Sequence, residues 1–395
     1  MAILNIDEPQ TTGPIALWHL GFRPFFLCAG LWAVIAVTIW LGIYLGSFRP
    51  PLAGLTPTLW HAHEMIFGYA AAAIAGFLLT AVKNWTNIQT WNRWKLAFLV
   101  SLWGIARMLF LLGDAQILPW AIGVSVCFLS GLVIAVALPI IQRRQWGQFP
   151  VILLPTLLLS AQLSVGLLPL PRIGIYLGLF VVLLLIFIIG RRVIPFFIET
   201  GVDQKGVEIQ NYLFLDAICI LSFLLYIGME ISAPIGIWTA WAAAIAGIAH
   251  ALRLTLWHHP KLWRKPLLWI LWIGYASIVL GLFLRAGAMV WASNPFISIH
   301  ALTYGGIGMI TLGMMSRVIL GHTGRNVFEP PKILTWIFLS LAIGAFIRVF
   351  MPLFLPAAYI DWVITAQILW VVAFTGFLFV FAPMLMLKRI DGRYG

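Results

Sequence analysis

Charge is what this chain has least of. Only 9% of its 395 residues are Asp, Glu, Lys or Arg, against about a quarter in ordinary soluble domains. Acidic residues are scarcer still, 12 against 24 Lys and Arg. Such a chain cannot clothe a globular surface, so a soluble domain of any size is excluded. Cysteine is equally scarce. Cys28, Cys127 and Cys219 each lie within an apolar stretch. Three scattered thiols imply packing residues and no disulfide framework. A basic leader is also missing. Met1 to Pro14 carries Asp7 and Glu8, so it is expected not to be a signal peptide, and the first apolar helix serves for insertion.

What remains is apolar. Hydrophobic residues make up 62% of the chain, and stretches long enough to cross a bilayer recur throughout. Twelve helices are expected, near 24–46, 60–82, 95–112, 117–141, 150–169, 172–190, 210–231, 234–256, 266–291, 297–320, 332–351 and 359–387. The connections are short. The reading is an all-α polytopic membrane bundle of about 12 transmembrane helices, with residues 1–395 as one integral membrane domain.

The net charge of +12 invites a nucleic-acid reading until its distribution is examined. Arg23 and the segments after even-numbered helices hold most of the basic residues: Lys83, Arg93, Lys95, Arg143, Arg144, Arg191, Arg192, Lys205, Lys261, Arg264, Lys265, Arg325, Lys332, Lys388, Arg389 and Arg393. Segments after odd-numbered helices hold only Arg49 and Arg172. The positive-inside rule then places both termini in the cytoplasm. No nucleic-acid partner is needed; the partner is the lipid bilayer.

Five arginines and most histidines fall inside the helices, where an ionisable group costs roughly 2.5–3.5 kcal/mol on insertion scales. They form two layers. Toward the outer face lie His61, His63 and Glu64 at the start of the second helix, His300 at the start of the tenth, and Arg107, Arg285, Arg348, Glu230 and Asp361. Toward the inner face lie His250, Arg253, Asp216, Arg317, His322 and the pair Arg191-Arg192. His19, His258 and His259 sit just outside the inner boundary and are expected to be solvated. Histidine is the commonest metal ligand, so an intramembrane metal or haem site is the leading expectation.

On a helix, His61 and His63 are separated by about 200°. They then serve two centres on opposite sides. Alternatively Pro57 leaves the helix start irregular and both rings converge on one ion. Glu64 shares a face with His61, and can orient a ligating ring, ligate directly or shuttle protons. The bland alternative is a His-rich helix start bonded to loop backbone. His300 and Tyr304 share a face; Tyr304 is either a proton donor or a packing aromatic. Gly305-Gly306-Ile307-Gly308 thins the tenth helix, which permits close helix approach or a flat cofactor. His250 shares a face with Arg253. His322, followed by Thr-Gly-Arg, ends the tenth helix. These two histidines are candidates for a second haem, unless His322 and Arg325 simply cap the helix. The arginines need anions: either propionates of a bound haem or protein carboxylates. Met314-Met315 is read as packing. The chain shows no clear internal repeat and no paired broken helices.

Several motifs occur in order: Gly21-Phe22-Arg23-Pro24-Phe25-Phe26-Leu27, Trp60-His61-Ala62-His63-Glu64-Met65, Ala75-Gly76-Phe77-Leu78-Leu79-Thr80-Ala81-Val82 with Asn84-Trp85-Thr86, Gly190-Arg191-Arg192-Val193-Ile194-Pro195-Phe196-Phe197, His300-Ala301-Leu302-Thr303, and Met315-Ser316-Arg317 with Leu320-Gly321-His322-Thr323-Gly324-Arg325. The ordered set resembles the NnrS family of bacterial membrane proteins. That resemblance implies a twelve-helix haem- and copper-containing protein of the bacterial inner membrane, tied to denitrification and the nitric oxide stress response. It implies functional roles for His61, His63, Glu64, His300, Arg317, His322 and Arg325. One departure is Trp272, near Gly274-Tyr275, where the family often has a histidine.

Three functions are expected. The protein reduces nitric oxide, with His61, His63, His300 and His322 as metal ligands, Arg107, Arg285, Arg317, Arg325 and His250 as cofactor contacts, and Glu64 and Tyr304 handling protons. Electrons then come from quinol or a carrier. Alternatively the same metals bind nitric oxide without turnover. The third reading is a secondary transporter without metal. Any haem is expected to be b-type, because no Cys-x-x-Cys-His occurs. The topology is directly testable: reporter fusions after Leu112, Ser232 and Ser293 are expected to read periplasmic, and fusions after Trp91, Lys205 and Lys261 cytoplasmic. Reversal at two sites rejects the twelve-helix topology.

Overall fold

The computed structural model describes residues 15–202, 206–291 and 294–395. The N-terminal segment, Lys205 and Ser293 lie outside them. Among the described residues, twelve helices are long and apolar enough to cross a membrane: α1 (Phe22–Tyr44), α2 (Pro57–Thr86), α3 (Arg93–Leu112), α4 (Ala115–Gln142), α5 (Trp146–Leu167), α6 (Pro171–Gly201), α7 (Leu213–Ser232), α8 (Ile237–Leu256), α9 (Pro266–Val290), α10 (Pro295–His322), α11 (Ile333–Phe354) and α12 (Pro356–Met386). The helix count and order match the sequence reading, and the chain is a multi-pass membrane protein. The largest difference is α6, expected to stop near residue 190. It runs on through Arg191, Arg192 and Pro195, because Arg191 finds a carboxylate partner in Asp216 of α7.

Most consecutive helices pack side by side, and α12 returns against α1. Two helices are set apart by burial. In the most apolar 18-residue stretch of α2 and α10, 83% and 72% of the residues are buried, against 33–67% in the others. Lipid gives helices no hydrophobic reason to associate, so close packing and hydrogen bonds hold them. At the centre the Tyr69 hydroxyl meets Thr311 Oγ1 at 2.5 Å, joining α2 to α10. The end of the bundle bearing Lys83, Arg93, Arg143 and Arg325 is called the basic end below.

Both central helices are irregular in the same place. A π-helical segment covers Glu64–Ala70 in α2 and Ala301–Gly308 in α10. Each starts directly after a histidine, His63 or His300. The correspondence continues without a gap: Phe67 matches Tyr304, Gly68 Gly305, Gly76 Gly313, Thr86 Thr323 and Asn87 Gly324. Thr86 and Thr323 each donate to the carbonyl four residues back at 2.7 Å, and the next residue has φ of 54° or 78°. Packing agrees. A Cβ on Gly68 would strike Trp32 of α1 and Arg107 of α3, and one on Gly305 would strike Ser277 of α9 and touch Ala345 of α11. Gly76 packs on Phe26 of α1 and Gly313 on Ile270 of α9. Helices α2 and α10, each with its two chain neighbours, therefore share one local layout, a structural repeat around the two π-helical segments. It escaped sequence reading because the shared positions are few and mostly small.

Tyr304 donates to Ala366 O of α12 at 2.7 Å, and its hydroxyl fills the notch that Gly344 leaves in α11. Gly344→Ala is expected to push the ring out and destabilise the protein by about 1–3 kcal/mol. Adding Tyr304→Phe should recover part of that loss, since the hydroxyl is what clashes. Thermal melts in detergent check both; additive losses would contradict the contact.

Candidate functional site

The candidate site lies in α2, α3, α5, α10 and α11, at the end opposite the basic one. Thr56 caps α2, accepting from Leu59 N at 3.4 Å, and Pro57 occupies the first turn, where its missing N–H costs nothing. The turn Pro57–His63 is regular α-helix. His61 and His63 therefore point to different sides, and the alternative of both on one ion is not what forms. They enter two separate clusters.

The first cluster is His63, Glu64, Arg107 and Gln162, all fully or almost fully buried. Arg107 Nη1 donates to Glu64 Oε1 at 2.8 Å. His63 Nδ1 lies 3.0 Å from the same oxygen, and His63 Nε2 lies 3.0 Å from Gln162 Oε1. Both ring nitrogens are thus occupied. Glu64 turns to His63 and Arg107, not to His61 as the shared-face argument expected, because the neighbouring helix brings the cation. Against Glu64 and a Gln162 carbonyl, His63 must donate twice and carry a second proton. Rotating the amide lets Gln162 donate instead, and the ring is neutral. The two arrangements differ by one proton. Glu64 Oε2, Arg107 Nε and Nη2, and Gln162 Nε2 are buried without partners.

The second cluster is His61, His300 and Arg348. The His61 ring stacks on Trp40, centroids 4.7 Å apart, and its Nδ1 is buried without a partner. His300 and His61 lie within electrostatic range of each other and of Arg348. His300 Nδ1 is 2.7 Å from Phe296 O. A carbonyl only accepts, so Nδ1 carries the proton and Nε2 keeps a free lone pair. A backbone bond of this kind orients ligating histidines in metal sites.

The other expected residues are elsewhere. Tyr304 is committed to Ala366. Arg285 donates to Glu230 at 2.8 Å and to Pro234 O, so a protein carboxylate already balances it. Arg317 lies over the Phe197 ring at 3.8 Å. His250 sits at 2.5 Å from the Tyr275 hydroxyl, with Arg253 Nη2 donating to its Nδ1 at 3.2 Å. That leaves the proton on Nε2 and no lone pair for iron. Arg253 also pairs with Asp216 at 3.2 Å. His322 Nε2 is 3.4 Å from Asn84 Nδ2, and Arg325 follows it in the loop. Among the described residues, no three His, Cys, Asp or Glu side chains converge as metal ligands would. Sequence reasoning missed Gln162, although an amide within an apolar helix was a usable signal.

At the basic end, fully buried Arg23 clamps the C-terminal segment, donating to Leu385 O and Leu387 O at 3.0 and 2.7 Å. Here His322 O accepts from Arg389 at 3.0 Å. Hydrogen bonds from Arg389 hold Asp391 down to about 2. A depressed carboxyl keeps its contribution above its unfolded pKa and loses it only as pH falls through about 2, so this contact persists across physiological pH.

Removing one partner of a buried ion pair strands the other charge. Glu64→Gln is expected to destabilise the protein by about 3–5 kcal/mol, and Glu64→Gln with Arg107→Met to regain most of it. Melting curves of the four combinations check this; a single variant that melts like wild type would mean the pair is not buried.

No curated protein matches this chain. The model of one protein family, described as NnrS protein, matches residues 16–389, and the chain belongs to the NnrS family.

Proposed function

We propose that this protein binds a b-type haem through His300, with His61 left free on the nitric oxide side, and uses it to capture and reduce nitric oxide. Family membership supports the coarser statement, a membrane protein of the nitric oxide response. The observation that carries the finer one is the bond from His300 to Phe296 O, which frees Nε2 for a metal beside the unpartnered Nδ1 of His61. The fit favours haem iron, which needs one or two protein ligands. Copper, the other metal implied, finds no three-donor set among the described residues. A haem held there would supply an iron for nitric oxide binding and electron transfer.

The chain's own residues supply protons and order. Reducing two NO to N2O and water takes two electrons and two protons. His63, with both ring nitrogens hydrogen-bonded, is the proposed proton carrier. Glu64 and Arg107 hold its charge balance, and Gln162 follows the proton by turning its amide. Nitric oxide is small, uncharged and soluble in lipid, so no wide aqueous channel is required. The electron donor is proposed to be quinol or a carrier, and the location the bacterial inner membrane. A protective role without turnover uses the same ligands and differs only in lacking NO consumption.

One observation favours a second reading. Irregular helix segments at corresponding positions point weakly toward a transporter site, and the π-helical segments of α2 and α10 are such a pair, though neither helix is broken. Spectra and metal content of purified protein decide. His300→Ala is expected to lose iron and the Soret band together, and His61→Ala to keep the haem while changing its spectrum with nitric oxide. His63→Ala is expected to keep iron and the Soret band and to slow anaerobic NO consumption. Wild-type protein without haem, from haem-replete cells, would leave the transporter reading.

A further inference from the structure

The repeat exposes a missing carboxylate. In α1–α3, Arg107 rises from α3 and ends on Glu64, the residue after His63. In α9–α11, Arg348 rises from α11 toward His300. The residue after His300 is Ala301. Ala301 packs in a small apolar cluster with Val349, the chain neighbour of Arg348, so the position does face α11. The second copy keeps the histidine and the arginine and lacks the acid between them.

Arg348 finds no substitute. It is only 6% exposed, and its Nη1 is buried with no hydrogen-bond partner. None of the ion pairs among the described residues includes it. Its guanidinium donates a hydrogen bond to the Tyr359 hydroxyl and lies 5.8 Å from that ring, with Tyr44 and Tyr304 also in range. Tyrosines donate or accept hydrogen bonds but bring no charge. His61, also within electrostatic range of Arg348, presents a further unpartnered nitrogen. A buried guanidinium without a counter-charge is costly, and its fork of donors matches two oxygens of one anion. Asp361 belongs to the first turn of α12 and is exposed there.

We propose that Arg348 seats a bound anion with two oxygens, a carboxylate or small oxoanion, in the place that Glu64 fills in the first repeat. The anion completes the ion pair that the sequence of the second repeat leaves open. Two sources share that chemistry: a propionate of the haem proposed beside it, or a free anion the size of formate or nitrite. The site stands whether or not His300 ligates a metal.

The test uses the full chain purified in detergent, in a buffer whose only anion is bulky, with ionic strength held constant. Formate and nitrite are titrated, and melting temperature and haem content are read separately. A free anion is expected to raise the melting temperature saturably, by roughly 3 °C at a hundredfold excess over Kd. Arg348→Gln should abolish that rise. Ala301→Glu should abolish it too, and raise the melting temperature without added anion, since it restores the internal acid. If a propionate is the occupant, loaded wild-type protein will not respond to formate, Arg348→Gln will lower haem content, and haem extraction will uncover the response. The proposal is overturned if neither loaded nor haem-free protein responds and Arg348→Gln keeps its haem, or if the response survives in both variants. Absence of haem with an intact anion response would sink the haem reading alone.

Discussion

The pair of Glu64 and Arg107, 2.8 Å apart and sealed from solvent, is the contact on which the far end of this bundle depends. A guanidinium at that depth in α3 is costly without a counter-charge, and α2 supplies a carboxylate. That requirement sets which face of α2 turns to α3, and so where His63 points. With the acid engaged, His63 is drawn to Glu64 and Gln162 on that side, and His61 is left on the other, stacked on Trp40. One ion pair thus sorts two adjacent histidines into different environments, one suited to carrying a proton and one with a nitrogen to spare.

The other intramembrane arginines meet the same cost in different ways. Arg253 has Asp216, Arg285 has Glu230, and Arg317 spreads over Phe197. Arg23 takes backbone carbonyls of the C-terminal segment. The argument that five intramembrane arginines must await ligand charge was too broad, because three of them meet protein carboxylates once the helices pack. It narrows to Arg348, and the repeat explains why: the position that matches Glu64 is Ala301. The bundle thus holds one closed ion pair and one open one.

The π-helical segments connect these features to the backbone. A widened turn after His63 and after His300 departs from regular α-helix beside each histidine, and such segments are frequent at functional sites. Glycines at 68 and 305 let neighbouring helices close on them. The hydrogen bond from Tyr69 to Thr311 then locks the two widened helices to each other.

Sequence alone determined the class, the twelve spans and the residues worth watching, because bilayer thickness and the cost of charge in lipid act on each segment independently. Apolar length marks a helix wherever it packs, and an ionisable group within it is conspicuous at once. The grouping of those residues was decided only by tertiary structure. Glu64 looked nearest to His61 on its own helix, yet Arg107 from α3 pulled it to His63. Tyr304 looked like a partner of His300, yet Ala366 of α12 took its hydroxyl. His250 looked free to bind iron until Arg253 and Tyr275 claimed its lone pair. In each case the competing partner came from another helix, and no periodicity within one helix can say which neighbour will stand beside it.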